Sequence, residues 1–187
     1  NSEGSAVLRS VICAALMSGV VVSGAWAQAS QQQQQPQSAL PGGATSLRET
    51  FEDWQVACVT QNNAKRCALG QEQFGQNRQR ILAIELAPGD NNSLTGTLVM
   101  PFGLLFEPGI TMQLDDKPFG KPLRVRTCVP AGCIVPLQFD AATSNALRGG
   151  TTLKLSATPS ESNTPVNFTI SLKGFSAGLN RTVALAK

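Results

Sequence analysis

The chain has 187 residues with a formal net charge of +3 at pH 7, and only 14% of them are charged. That length suits one domain with a real core, and the sparse, scattered basic residues do not suit a nucleic-acid binder. Histidine is absent, which excludes Ser-His-Asp and Cys-His nucleophile systems, a histidine general base and imidazole metal sites. Composition therefore argues against most hydrolases, and we predict neither a metal site nor a cofactor.

The first 27 residues have the pattern of a secretory signal peptide. Arg9 precedes an uncharged, largely apolar run over residues 11–25, and the Ala-Trp-Ala sequence at 25–27 supplies the small residues that signal peptidase requires. The run is shorter than the ~20 apolar residues of a membrane-spanning helix. We predict cleavage between Ala27 and Gln28 and a product that is periplasmic or associated with the outer membrane, with at most peripheral membrane attachment.

Residues 28–50 are predicted to be a disordered linker. They include five consecutive glutamines, two prolines and a glycine pair, and they offer little apolar surface to bury. The globular domain is accordingly predicted to cover residues 51–187.

Four cysteines remain once Cys13 leaves with the signal peptide, an even number in an oxidising compartment. Cys58 and Cys67 bracket a polar loop, and Cys128 and Cys133 bracket a short turn. We predict disulfides that join 58 to 67 and 128 to 133. A four-cysteine zinc site matches the spacing only loosely, and neither pair has the Cys-x-x-Cys form of a redox site.

From residue 52 onward, apolar residues alternate with polar ones in short runs separated by Gly, Pro and Asn. This pattern predicts an all-β fold, an antiparallel immunoglobulin-like β-sandwich. Two short helices are predicted, at 141–147 after an Asp140 N-cap and at 177–185, where a last strand is the alternative. The predicted strands cover residues 54–60, 66–74, 80–87, 95–100, 110–114, 122–129, 134–139, 151–157 and 166–172.

One stretch of the domain carries several basic side chains. Arg124 and Arg126 alternate with apolar neighbours and so fall on one face of a predicted strand, and Lys117 and Lys121 lie in the hairpin before it. These four residues are a candidate surface for an acidic partner or a lipid headgroup. The alternative is an ordinary solvated face.

Residues 98–106 are the least polar stretch of the domain. A buried strand followed by a turn explains that composition. The alternative is a docking loop, which requires Phe102, Leu104 and Phe106 to be exposed as an apolar patch.

Short motifs occur in a fixed order over about residues 51–185. They are Phe-Glu-Asp-Trp at 51–54 with Cys58 soon after, Cys67, Cys-Val-Pro-Ala-Gly-Cys at 128–133, and Gly174-Phe175 followed by small residues and Leu179. In these motifs and their order, the domain resembles the invasion-associated locus B family of exported alphaproteobacterial proteins. The resemblance implies association with the bacterial envelope and, for founding members, with invasion of host cells; it implies no catalytic residues.

The sequence holds no P-loop, dinucleotide fingerprint, nucleophile elbow or EF-hand. We therefore predict a non-enzymatic binding or adaptor protein, linked to invasion, with an envelope or host protein as its partner. One alternative is a periplasmic small-molecule binder or enzyme with a cleft lined by Glu72, Glu85 and Glu107. A second alternative is a chaperone-like protein that holds clients on residues 98–106.

Overall fold

A computed structural model describes residues 40–62 and 64–187. The described residues form two antiparallel sheets and two α-helices, so the predicted all-β class with two short helices is confirmed. The predicted signal peptide and its predicted cleavage site lie outside the described residues. The elements in chain order are β1 (Ser46–Phe51), β2 (Trp54–Gln61), β3 (Ala64–Phe74), β4 (Arg80–Pro88), β5 (Leu94–Met100), β6 (Thr111–Leu114), β7 (Lys117–Pro118), β8 (Thr127–Val129), β9 (Gly132–Phe139), α1 (Ala141–Gly149), β10 (Thr152–Ala157), β11 (Val166–Ser171) and α2 (Phe175–Ala186).

Seven strands form the larger sheet in the order β1-β2-β3-β4-β5-β9-β8, and four form the smaller one in the order β11-β10-β6-β7. Side chains alternate across each strand, so that Trp54, Val56 and Cys58 of β2 are buried while their neighbours on the strand are not. The buried faces of the two sheets and of α2 contribute to one hydrophobic core. This arrangement is the sandwich-like layering that the alternating pattern predicts.

The domain begins earlier than the predicted boundary at residue 51. Leu40 is buried, and Ser46–Phe51 forms the edge strand β1, which pairs with β2 along its whole length. Leu47 and Phe51 pack against the core from this strand. The prediction of a linker over 28–50 is therefore wrong for residues 46–50, because a six-residue amphipathic strand directly follows low-complexity sequence. Residues 28–39 lie outside the described residues.

The predicted strand over 122–129 is also shorter in the structure. Thr127–Val129 alone forms a strand, β8, which pairs with β9. Before it, Leu123 makes an isolated bridge to Ile110 beside the smaller sheet. The segment therefore crosses from one sheet to the other, and its strand pairing is interrupted between Leu123 and Thr127.

Polar side chains of the larger sheet bond to the backbone of β11, an edge strand of the smaller one. The indole Nε1 of Trp54 donates to the Ser171 carbonyl at 2.8 Å, and Gln71 Nε2 donates to the same oxygen at 3.0 Å. Gln73 Nε2 donates to the Thr169 carbonyl at 2.6 Å. These bonds satisfy carbonyls that an edge strand otherwise leaves open, and they join the two sheets.

A glycine precedes helix α2 as its N-cap, because a side chain does not fit at that position. Gly174 has φ +80°, and a Cβ on it would lie 2.0 Å from the Phe51 carbonyl oxygen. The turn places the ring of Phe175 edge-on to that of Trp54, with 5.0 Å between the ring centroids. The Phe-Glu-Asp-Trp and Gly-Phe motifs of the sequence thus meet in the core.

Both predicted disulfides form, Cys58 with Cys67 and Cys128 with Cys133. Each joins directly opposed residues of neighbouring strands. Cys58 and Cys67 are buried in the core, whereas Cys128 is exposed at the edge of the larger sheet. The second bridge closes a tight hairpin in which Gly132 has φ +132°, and a Cβ on that glycine would lie 2.6 Å from the Met100 carbonyl oxygen.

Candidate binding surfaces

The four predicted basic residues are all exposed but do not meet at one point. Lys117 pairs with Leu114 at the end of β6, whereas Arg124 follows Leu123, which pairs with Ile110 just before β6 begins. Residues 117–124 therefore run alongside β6 from its end to its start, so the basic side chains are spread along that strand. Arg124 forms an ion pair with Glu107. A partner surface of Lys117, Lys121, Arg124 and Arg126 stays a prediction.

A trough of about 650 Å³ lies on the outer face of the larger sheet. Its lining includes the small residues Ala57, Ala68 and Gly70. Of the three predicted carboxylates, Glu72 and Glu85 line it, while Glu107 lies in the loop between β5 and β6. Within the described residues no group of three or more His, Cys, Asp or Glu side chains is arranged to hold a metal ion.

Exposed apolar side chains are concentrated at one end of the sandwich, which we call the apolar end. Eight large apolar side chains are exposed among the described residues, and Val59 is the one that lies towards the opposite end. The side chains of Phe74, Phe102 and Phe106 keep 58%, 60% and 53% of their area in solvent. The seven residues of the apolar end are Phe74, Ile81, Phe102, Leu105, Phe106, Val129 and Val166.

The sheet topology places these seven residues together although they are far apart in the chain. Within the larger sheet, the end of β3, the start of β4, the end of β5 and the β8–β9 hairpin are neighbours because adjacent strands are antiparallel. The loop after β5 reaches the smaller sheet, where Leu104 bridges to Pro159 and the Leu105 amide donates to the Thr158 carbonyl at 2.8 Å. Val166 begins β11 beside that contact.

The structure divides residues 98–106 between the two roles predicted for them. Leu98 and Met100 are buried in β5, as the buried-strand interpretation requires. Phe102 and Phe106 are exposed, as the docking interpretation requires, but Leu104 packs partly against the core. The exposed part of the stretch is thus its loop and not its strand.

A cavity of about 430 Å³ opens within the apolar end. Its walls are mostly apolar and include Ile81, Val99 and Phe102, together with the hairpin residues 130–132. The Arg80 guanidinium lies at its lining, donates to the Ala131 carbonyl at 3.1 Å and forms an ion pair with Glu72 at 3.0 Å. An apolar cavity with one cation beside it suits an apolar group more than a reacting one.

The side chains whose pKa values are shifted take part in contacts that stabilise the fold. Two hydrogen bonds from the Arg181 guanidinium, at 2.7 and 2.8 Å, hold the pKa of Glu49 below its usual value, and the same contact raises the pKa of Arg181. Hydrogen bonding from Thr143 lowers the pKa of Asp140, the N-cap of α1. The first contact ties β1 to α2 and the second begins a helix, so neither is arranged for acid–base chemistry.

Comparisons with known proteins agree with this architecture. Residues 54–183 match the sequence profile of the family described as Invasion associated locus B (IalB) protein. The chain belongs to the invasion associated locus B family. It is 42% identical over 151 residues to an invasion protein B homolog from Brucella abortus (strain 2308), covering 80% of this chain and 87% of the relative.

A second family member and a solved structure extend the comparison. Invasion protein B of Bartonella bacilliformis is 36% identical over 152 residues, covering 80% of this chain and 82% of the relative. The crystal structure of invasion associated protein B from Bartonella henselae superposes with a TM-score of 0.70 at 35% identity, covering 74% of this chain and 96% of that one. The fold is thus a family property, and these names specify no enzymatic reaction.

Sequence reasoning found only part of the apolar end. Phe102 and Phe106 were singled out because they lie in one apolar stretch, but Phe74, Ile81 and Val129 lie at the ends of separate strands. The available signal was an apolar residue directly beside a turn. That signal has meaning only once strand order shows that the turns meet at one end.

Proposed function

We propose that this chain is an exported, non-enzymatic binding protein that acts at the bacterial envelope in host-cell invasion, and that the apolar end is its docking surface. One observation carries the proposal, namely that seven of the eight exposed large apolar side chains of the described residues lie at the same end of the sandwich. Scattered exposed apolar residues are normal on a soluble protein, but a concentrated set marks an interaction site.

The rest of the chain supports a binding role. The sequence has no histidine, and the ion pair and helix cap that perturb titration have structural explanations. Only two of the three carboxylates predicted for an active cleft line the trough, which Glu52 and Asp53 line as well. The predicted set of Glu72, Glu85 and Glu107 therefore does not form one cleft. Export is supported by the signal-like sequence over residues 1–27 and by the two disulfides, which persist in oxidising compartments.

Site-specific photocrosslinking in the native bacterium tests the proposal. A photoreactive phenylalanine analogue replaces Phe102 in one strain and Val59 in another, and mass spectrometry identifies both protein and lipid adducts. Val59 is the matched control because it is a similarly exposed apolar residue, at 49% exposure, away from the apolar end.

We expect recurrent adducts from position 102 and few from position 59. Equal yields from the two positions, or none from either, would contradict the assignment of the apolar end as the docking surface. Fractionation of the same cells tests the predicted envelope location, which a cytoplasmic protein pool with an intact N-terminus would contradict.

A further inference from the structure

The apolar side chains of the apolar end project from four separate connections. Phe74 and Ile81 flank the β3–β4 turn, Phe102, Leu105 and Phe106 lie in the β5–β6 loop, Val129 lies at the β8–β9 hairpin and Val166 lies after the β10–β11 connection. Both sheets contribute, so the exposed side chains lie on the loops and strand ends at one end of the sandwich and not on one flat sheet face. A partner that adapts its shape fits such a surface better than a rigid protein surface.

Charges at the apolar end are nearly balanced, and two ion pairs form among them. Glu72 pairs with Arg80, and Glu107 pairs with Arg124. Arg78 in the β3–β4 turn, Arg126 just before β8 and Glu161 in the β10–β11 connection are also exposed. Ion pairs on a surface contribute little to stability, so the Arg80 and Arg124 guanidinium groups are available to a better acceptor such as a phosphate.

We infer that the partner of the apolar end is the lipid surface of a phospholipid bilayer. This inference rests on the proposed function, because it names the partner of the same docking surface. Phe102, Leu105 and Phe106 enter the upper hydrocarbon layer, and the cavity beside Phe102 accommodates part of an acyl chain. Arg78, Arg80 and Arg124 lie where lipid phosphates accept hydrogen bonds.

The charge balance also predicts what drives the binding. Four arginines, with Arg126 included, face three carboxylates. The net charge of the apolar end is therefore small, so the long-range attraction to anionic lipid is weak and the transfer of apolar side chains dominates. Binding should therefore persist at high ionic strength, and it should differ little between neutral and anionic vesicles.

Tryptophan fluorescence with brominated lipids tests the inference on the exported protein purified from cells. Phe102→Trp places a reporter at the apolar end, and Val59→Trp places the same reporter at the matched control position. The native Trp54 is buried and contributes a constant background. Vesicles of phosphatidylcholine alone, and of phosphatidylcholine with phosphatidylglycerol, carry bromine on the acyl chains.

We expect quenching of the reporter at 102 and none at 59, in both kinds of vesicle. In the unlabelled protein, Phe102→Ser combined with Phe106→Ser should weaken vesicle binding by about tenfold or more, because two largely exposed aromatic rings lose their transfer into hydrocarbon. Val59→Ser should leave vesicle binding unchanged.

The outcomes separate this inference from the proposed function. An absence of quenching at 102, with protein adducts still formed from that position in cells, overturns the lipid assignment and leaves the docking surface in place. An absence of quenching together with an absence of adducts contradicts both. Quenching that disappears with added salt contradicts the apolar mechanism, since a charge-driven contact would then explain the binding.

Discussion

The two ends of the sandwich differ in how their exposed side chains are used. At the end opposite the apolar end, which we call the polar end, exposed aspartates close turns. Asp115 accepts from the Thr151 and Thr152 amides, Asp116 pairs with Lys154, and Asp140 caps α1. At the apolar end, by contrast, phenylalanine rings are exposed to water and do not stabilise a turn.

This difference separates stability from function. A polar side chain that accepts hydrogen bonds from backbone amides stabilises the folded state. An exposed aromatic ring does not, because burial elsewhere would be more favourable. The polar end is therefore explained by the fold alone, whereas the exposed rings of the apolar end are what the proposed docking surface predicts. The following substitutions test that division.

The largest expected effect comes from the disulfide nearer the polar end. Replacing Cys58 and Cys67 together by alanine should lower the free energy of unfolding by about 2–4 kcal/mol, because the bridge constrains the unfolded chain and its sulfurs fill the core. The matched Cys128→Ala, Cys133→Ala variant should lose less, since its loop spans a sequence separation of 5 in place of 9 and Cys128 is exposed. Urea unfolding of both variants measures the difference, and a larger loss for the second pair would contradict this view of the core.

A smaller effect is expected at the Asp115 turn. Its Oδ1 accepts from the Thr151 and Thr152 amides at 3.0 and 2.9 Å, and its own φ is +47°. Asp115→Ala should lower the free energy of unfolding by about 1–2 kcal/mol through the lost acceptor and the strained backbone. Asp115→Asn keeps an acceptor and tolerates that φ, so it should recover most of the loss. If Asp115→Ala unfolded at the same urea concentration as wild type, the Asp115 side chain would not hold this turn.

The cap of α1 should give a pH-dependent effect. The pKa of Asp140 is lowered in the folded state by hydrogen bonding from Thr143, so the ionised carboxylate favours folding. That contribution is complete above the ordinary carboxyl pKa and is lost as the pH falls through the lowered folded-state pKa. The midpoint of thermal unfolding should therefore differ most between wild type and Asp140→Ala near neutral pH and converge in acid.

Asp140→Asn is the matched control for the cap. An amide oxygen still accepts the hydrogen bond from Thr143 but does not ionise, so this variant should keep much of the stability with less dependence on pH. A constant gap between wild type and Asp140→Ala across the acid range would contradict the assignment of the stabilising species as the carboxylate.

Local patterns in the sequence predicted the features that depend on neighbouring residues. Alternation located most strands to within a few residues, the Asp140 cap was predicted from residue type, and short loops made the 58–67 and 128–133 pairings the simplest choice. The errors arose where long-range contacts decide. β1 became a strand because β2 offered a partner, and the 122–129 segment was divided because Leu123 lies opposite Ile110.

The apolar end was only partly predictable from the sequence for the same reason. Phe102 and Phe106 are close in the chain, so composition revealed them, but Phe74 and Val129 join them only through the pairing of β3, β4, β5 and β9. Even within the loop, the side chain of Leu104 turns partly towards the core because its backbone bridges to Pro159. An alternating pattern gives the two faces of a strand, but it does not identify which strand ends are neighbours.

The smallest expected change in stability comes from an exposed ring of the apolar end, and it tests the difference between the two ends most directly. Phe106→Ser should change the free energy of unfolding by less than about 0.5 kcal/mol, because the Phe106 ring already lies mostly in water. Val59→Ser at the other end should behave in the same way. Urea unfolding measures both variants beside Asp115→Ala, which removes an exposed side chain that closes a turn. If Phe106→Ser were as destabilising as Asp115→Ala, the Phe106 ring would stabilise the folded state, and its exposure would no longer indicate a docking surface.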